Sequence, residues 1–90
     1  SEDQKALASL IYQTLGESAT RIAEGETNFN RLEQQAIERL NQAGFETDYF
    51  CVCSAETLKP ASAEDRRLVI LVTALLGGTR LLDNIEIDLG

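Results

Sequence analysis

Apolar residues recur along the first half of the chain at helical intervals and along the second half at strand intervals. Leu7, Leu10, Ile11, Leu15 and Ile22 share one face of a helix. The opening residues suit a helix start: Ser1 as cap, Glu2 and Asp3 at the positive end of the dipole, Gln4 completing a capping box. The pattern predicts one helix to about Glu24. Gly16 interrupts it at about 1 kcal/mol relative to Ala and marks where it would bend. Gly25 follows at the position that favours a left-handed glycine. A second stripe runs through Phe29, Leu32, Ala36, Leu40 and Ala43, widened by Ile37, with Glu33, Glu38 and Arg39 expected toward solvent. This helix starts near residues 28–30 and ends at Gly44, after which Phe45 is placed for the apolar contact that accompanies such a cap. A short connection makes the two helices a hairpin.

After Gly44 the period changes. DYFCVC, residues 48–53, is aromatic and β-branched, as strands are. Phe50 and Val52 fall on one face of it and Tyr49, Cys51 and Cys53 on the other. A polar connector, residues 54–67, holds the only proline, Pro60. The run LVILVTALL (68–76) lacks polar alternation and fits either a buried helix or a strand. Its β-branched residues favour a central strand covered on both faces. Gly77-Gly78 then fits a two-residue hairpin turn. Residues 79–87 form the partner strand, with Leu81, Ile85 and Ile87 on one face and Arg80, Asn84 and Glu86 on the other. The expected class is α+β: a helical hairpin followed by a three-stranded antiparallel sheet, one domain over residues 1–90.

Composition narrows the function. Ninety residues hold one core and a shallow groove at most. The net charge is −7, and the excess of acid is even: seven acids and four bases in residues 1–45, eight and four in 46–90. With no basic patch, nucleic acid and anionic membranes are poor partners. No apolar run reaches the roughly 20 residues of a membrane span. The chain has no histidine, so the commonest general base and metal ligand is missing. Two cysteines make no disulfide scaffold, and free thiols point to the cytoplasm.

Four features invite chemistry. Cys51-Val52-Cys53 resembles half a metal or redox site. Zinc needs about four ligands, and two sulfurs two residues apart on one strand face are awkwardly spaced for a disulfide. Small apolar packing residues is the favoured reading. Glu64-Asp65 and Glu86/Asp88 are paired carboxylates, but a connector and a strand end give them solvent rather than the burial that shifts pKa values. Asp83 differs, because alternation puts it among Leu81 and Ile85, where a carboxylate needs a hydrogen-bond donor such as a backbone amide or a partner near Arg80. Gly77-Gly78 beside Thr79 and Arg80 suggests a phosphate cradle, yet such a cradle opens a helix, and a strand follows here. No catalytic, substrate-binding or metal-binding residue is assigned.

The order of segments resembles the C-terminal domain of the pantothenate synthetase (pantoate–β-alanine ligase) family. The resemblance is carried by Gly44-Phe45, Asp48-Tyr49, Ala55-Glu56-Thr57-Leu58, and Gly77 with Thr79 to Asn84, around an apolar strand. The opening SEDQKALASLIYQTL is also similar to that domain's first helix. Leu82 replaces the usual isoleucine. Cys51, Val52, Cys53 and Ser54 stand where the family often has an acid, a valine, an arginine and an aspartate, so any role of those charges does not carry over.

The resemblance implies a ligase that joins pantoate to β-alanine with ATP and magnesium through a pantoyl-adenylate, releasing AMP and pyrophosphate. It implies that an N-terminal nucleotide-binding domain, absent from this sequence, carries the chemistry. This chain is then the lid over the site, binding no cofactor and inactive alone, within a cytoplasmic homodimer. The alternatives are a stand-alone acidic interaction or dimerisation module, and a thiol protein using Cys51 and Cys53.

Overall fold

Two antiparallel helices lie on one face of a three-stranded antiparallel sheet. The computed structural model describes the backbone of residues 2–90 and the side chains from residue 5 onward. The capping box expected from Ser1 and Gln4 falls outside the described residues. The elements are α1 (Glu2–Ala23), α2 (Phe29–Gln42), β1 (Glu46–Ser54), β2 (Arg67–Leu76) and β3 (Thr79–Asp88), with strand order β1-β2-β3. α2 packs on β1 and α1 packs on β3.

The first helix runs through Gly16 without interruption. Both helices stop in the same way. At Gly25 (φ 110°) the amides of Gly25 and Glu26 donate back to the carbonyls of Ile22 and Arg21. At Gly44 (φ 108°) the amides of Gly44 and Phe45 donate to Asn41 and Leu40. These 5→2 and 6→1 bonds satisfy carbonyls that the helix end leaves free, and they need a left-handed residue. The second cap also drives Phe45 into the core. Asn28 starts α2, its side-chain oxygen accepting from the Arg31 amide at 3.2 Å.

β2 is the ambiguous run, and it is a central strand. Gly77 and Gly78, at φ 56° and 82°, turn it into β3, pairing Leu76 with Thr79. Positive φ at both central residues is the demand of a type I′ turn, so the glycines bend a hairpin, and the segment after them is a strand and not a helix. Leu68, Ile70, Val72 and Ala74 face the helices and are sealed. They meet Phe50 and Val52 of β1, Ile87 of β3, Leu15 of α1 and Leu40 of α2 in one core. The expectation of cover on both faces of β2 is not met within this chain. The opposite face carries no helix.

Polar side chains enter the packing of both helices. Thr14 and Ser18 are buried in the α1 stripe between Ile11 and Ile22. The Thr14 hydroxyl donates to the Leu10 carbonyl at 2.7 Å, which lets a polar side chain sit in an apolar layer. Glu33, expected toward solvent, is half-buried, because its carboxylate reaches a strand edge.

Candidate functional site

The bare face of the sheet is where this chain can meet something else. Pairing register assigns it Tyr49, Cys51 and Cys53 from β1, Val69, Leu71, Thr73 and Leu75 from β2, and Arg80, Leu82, Asn84 and Glu86 from β3. Its middle is apolar and its rim is polar. No helix covers it: Leu82 is 72% exposed and Tyr49 40%, while Cys53, Val69 and Thr73 are buried among their neighbours in the sheet. A sheet face that only met water would alternate with polar residues along its central strand, and β2 does not. Thr73 sits between Tyr49 and Leu82, with a buried hydroxyl that has no hydrogen-bond partner.

A bulge shapes one end of this face. The β1–β2 register slips between Thr47 and Tyr49, so Asp48 is an extra residue. Asp48 then reaches across β2 to form an ion pair with Arg80 of β3. Arg80 therefore pairs with Asp48, and not in the neighbourhood of Asp83. Asp83 lies half-buried on the helix side, and its Oδ1 accepts from the Asn84 amide at 2.8 Å. The carboxylate holds a backbone amide, the structural use that its position on an apolar face suggests.

One flank of β1 pairs with β2, and the other is tied down from Val52 to Ser54. On the outer edge, Glu33 of α2 accepts from the Val52 amide at 2.8 Å, the Ala61 amide donates to the Val52 carbonyl, and Cys53 bridges to Pro60. Edge strands left with free amides recruit other chains, and this edge has none free at Val52. The same carboxylate acts on the thiols. Burial pushes Cys51 and Cys53 above the ordinary value of 9.0, and the charge of Glu33 pushes further in the same direction. At neutral pH both are protonated, poor nucleophiles and poor metal ligands. The thiol reading loses its chemistry, and packing on the open face remains.

The acidic pairs do not converge. Glu64 and Glu86 are exposed. Asp65 accepts from the Ser62 amide at 2.8 Å and Asp88 from the Gly90 amide at 2.9 Å, so each tightens a local turn. Among the described residues no three His, Cys, Asp or Glu side chains cluster as a metal site. An open groove of about 820 Å³ runs between the helices over Thr14, Ser18, Leu32 and Ala36. Arg39–Glu17 and Arg21–Gln35 pairs bridge it, making it a polar seam between α1 and α2. No described helix is long and apolar enough to cross a membrane.

Comparison with known proteins gives one answer throughout. The family model for pantoate-beta-alanine ligase matches residues 1–86. A pantothenate synthetase from Marinobacter nauticus is 45% identical over 87 residues, 97% of this chain and 31% of that protein. One from Pseudomonas fluorescens is 47% identical over 89 residues, 99% of this chain and 31% of that protein. One from Hahella chejuensis is 43% identical over 90 residues, 100% of this chain and 32% of that protein. The crystal structure of a pantothenate synthetase from Thermus thermophilus superposes with a TM-score of 0.77 at 24% identity, over 94% of this chain and 31% of that one. That likeness concerns the fold. The chain spans about a third of the length of the curated relatives it matches.

Proposed function

Because the chain belongs to the pantoate-beta-alanine ligase family, we propose that it is the C-terminal lid domain of an enzyme that condenses pantoate with β-alanine. The observation that carries this reading is the helix-free sheet face, with Leu82 and Tyr49 exposed on it, in a chain about a third as long as its relatives. A face of that composition is suited to rest on another body. The body proposed is the nucleotide-binding domain of the same enzyme, which supplies the groups that touch the reacting atoms. The lid binds to the rim of that site and excludes water. Exclusion matters for this reaction, because water competes with the amine for an acyl-adenylate.

Residues of this chain perform no chemical step in the proposal. Its thiols are protonated, and the carboxylates of Glu17, Glu33, Asp48, Asp65, Asp83 and Asp88 hold turns, an edge and ion pairs. Magnesium is implied by the family's ATP-dependent reaction, and no three His, Cys, Asp or Glu side chains cluster among the described residues of this chain. ATP and its metal are proposed to bind on the nucleotide-binding domain. The parent enzyme is proposed to be a cytoplasmic homodimer. A stand-alone interaction or dimerisation module finds no support in relatives that are about three times longer.

Release of AMP tests the reading. The chain alone, given ATP, magnesium, pantoate and β-alanine, is expected to release none. The same chain, replacing the matched segment of the Marinobacter relative in one polypeptide, is expected to restore pantothenate formation. Turnover by the isolated chain overturns the claim that it lacks catalytic groups.

A further inference from the structure

Leu58 breaks two local rules at once. Its φ is 61°, and it is the one non-glycine residue with positive φ among those described. Its side chain is also 61% exposed. A left-handed backbone crowds the Cβ of an L-residue, and glycine or asparagine holds such a turn with less strain. Either would also keep the surface polar. Leu58 is not among the residues packed on the core. Strain together with exposure, at a residue the surroundings fix in place, is the pattern of a functional contact.

The surroundings do fix it. The buried Ser54 hydroxyl accepts from the amides of Glu56 and Thr57 at 3.2 and 3.3 Å, and the Ser54 carbonyl accepts from the Leu58 amide at 2.8 Å. Thr57 Oγ1 accepts from the Lys59 amide at 3.2 Å, while the Ser54 amide donates to the Lys59 carbonyl at 2.9 Å. Pro60 then pairs with Cys53 and Ala61 with Val52. The loop is tied to β1 on both sides, so Leu58 is presented in one position. Pro60 shares the register position, and hence the face, of Cys53. The loop thus continues the bare sheet face beyond the β1 edge.

We propose that Leu58 is an apolar anchor that inserts into a pocket on the nucleotide-binding domain, beside the contact made by the sheet face. This rests on the reading under Proposed function. The occupant is argued from length: the relatives carry about two thirds of their chain outside the segment matched here. Pre-organised apolar side chains at the edge of a larger contact lose little freedom on docking, which is how a few residues come to dominate an interface.

The test is thiol labelling of a Leu58→Cys variant in a Cys51→Ser, Cys53→Ser background. The chain alone is compared with the chain joined to the remainder of the Marinobacter relative. Labelling of position 58 is expected to slow at least tenfold on joining, while a Tyr12→Cys control, at an exposed site on the helix layer, keeps its rate. In parallel, Leu58→Asn is expected to leave the melting temperature of the chain alone unchanged or raised, and to lower that of the joined polypeptide. Equal labelling of position 58 in both forms overturns the inference, as does an Asn variant that destabilises both forms alike. Cys51 of the native sequence separates the two levels of the argument. If joining shields Cys51 but leaves position 58 reactive, the anchor alone is wrong. If it shields neither, the docking of the sheet face is wrong as well.

Discussion

Replacing Glu33 separates the two things its carboxylate does. The Glu33 side chain accepts from the Val52 amide at 2.8 Å in a half-buried setting. A hydrogen bond to a charged group contributes about 1.5–3 kcal/mol, and partial exposure argues for the lower end. Glu33→Ala leaves the Val52 amide without its acceptor, and alanine's better helix propensity returns a few tenths. The expected net loss is about 1 kcal/mol, or roughly 4–8 °C of melting temperature for a domain of this size. Glu33→Gln keeps an acceptor oxygen and is expected to lose about half as much. Both variants remove the negative charge, so both are expected to lower the pKa values of Cys51 and Cys53. Thermal melts give the first effect, and thiolate absorbance against pH gives the second. If Glu33→Ala melts with the wild type, the carboxylate does not secure the β1 edge. If the two variants lose the same stability, charge rather than hydrogen bonding sets the contribution.

Two further outcomes are expected. A Cβ at Gly16 meets nothing within 4 Å, so Gly16→Ala is expected to gain about 1 kcal/mol and raise the melting temperature by roughly 4–8 °C; a loss would mean that α1 needs its glycine for close packing. The thiols give a pH dependence whose sign follows from their raised pKa values. The folded state keeps its protons where the unfolded state has lost them, so stability holds below about pH 9 and falls as pH rises toward and through the folded values. Urea midpoints at neutral pH and near pH 10 are expected to diverge in the native sequence and to diverge less in a Cys51→Ala, Cys53→Ala variant.

Much of the fold was legible because its signals are local. The glycine stops at Gly25 and Gly44, the apolar stripes and the Gly77-Gly78 turn each depend on residues close in sequence, and the structure has them where periodicity puts them. β2 was legible as a central strand from its β-branched residues. What covers its second face was not, because no described element of this chain lies on it. Thr14 and Ser18 went unseen as core residues because short polar side chains leave no apolar mark, and only their place at helical spacing with Ile11 and Leu15 signals them. Glu33 reads as solvated in sequence for a related reason. A charge at the border of a stripe reads as solvated until a strand edge supplies an amide. The Asp48–Arg80 pair depends on a bulge, which shifts register by one residue and has no reliable mark in sequence. Asp83 was the opposite case: an acid on an apolar face, flagged by alternation alone, and holding a backbone amide as such a residue must.

The central claim is that the bare sheet face rests on the nucleotide-binding domain, and Cys51 is a native reporter on that face. Its thiol is half-buried in this chain. Its labelling rate at mildly alkaline pH, in a Cys53→Ser variant, is to be measured in the chain alone and in the chain joined to the remainder of the Marinobacter relative. The account predicts at least a tenfold slower reaction when joined. Equal rates in the two forms would contradict it.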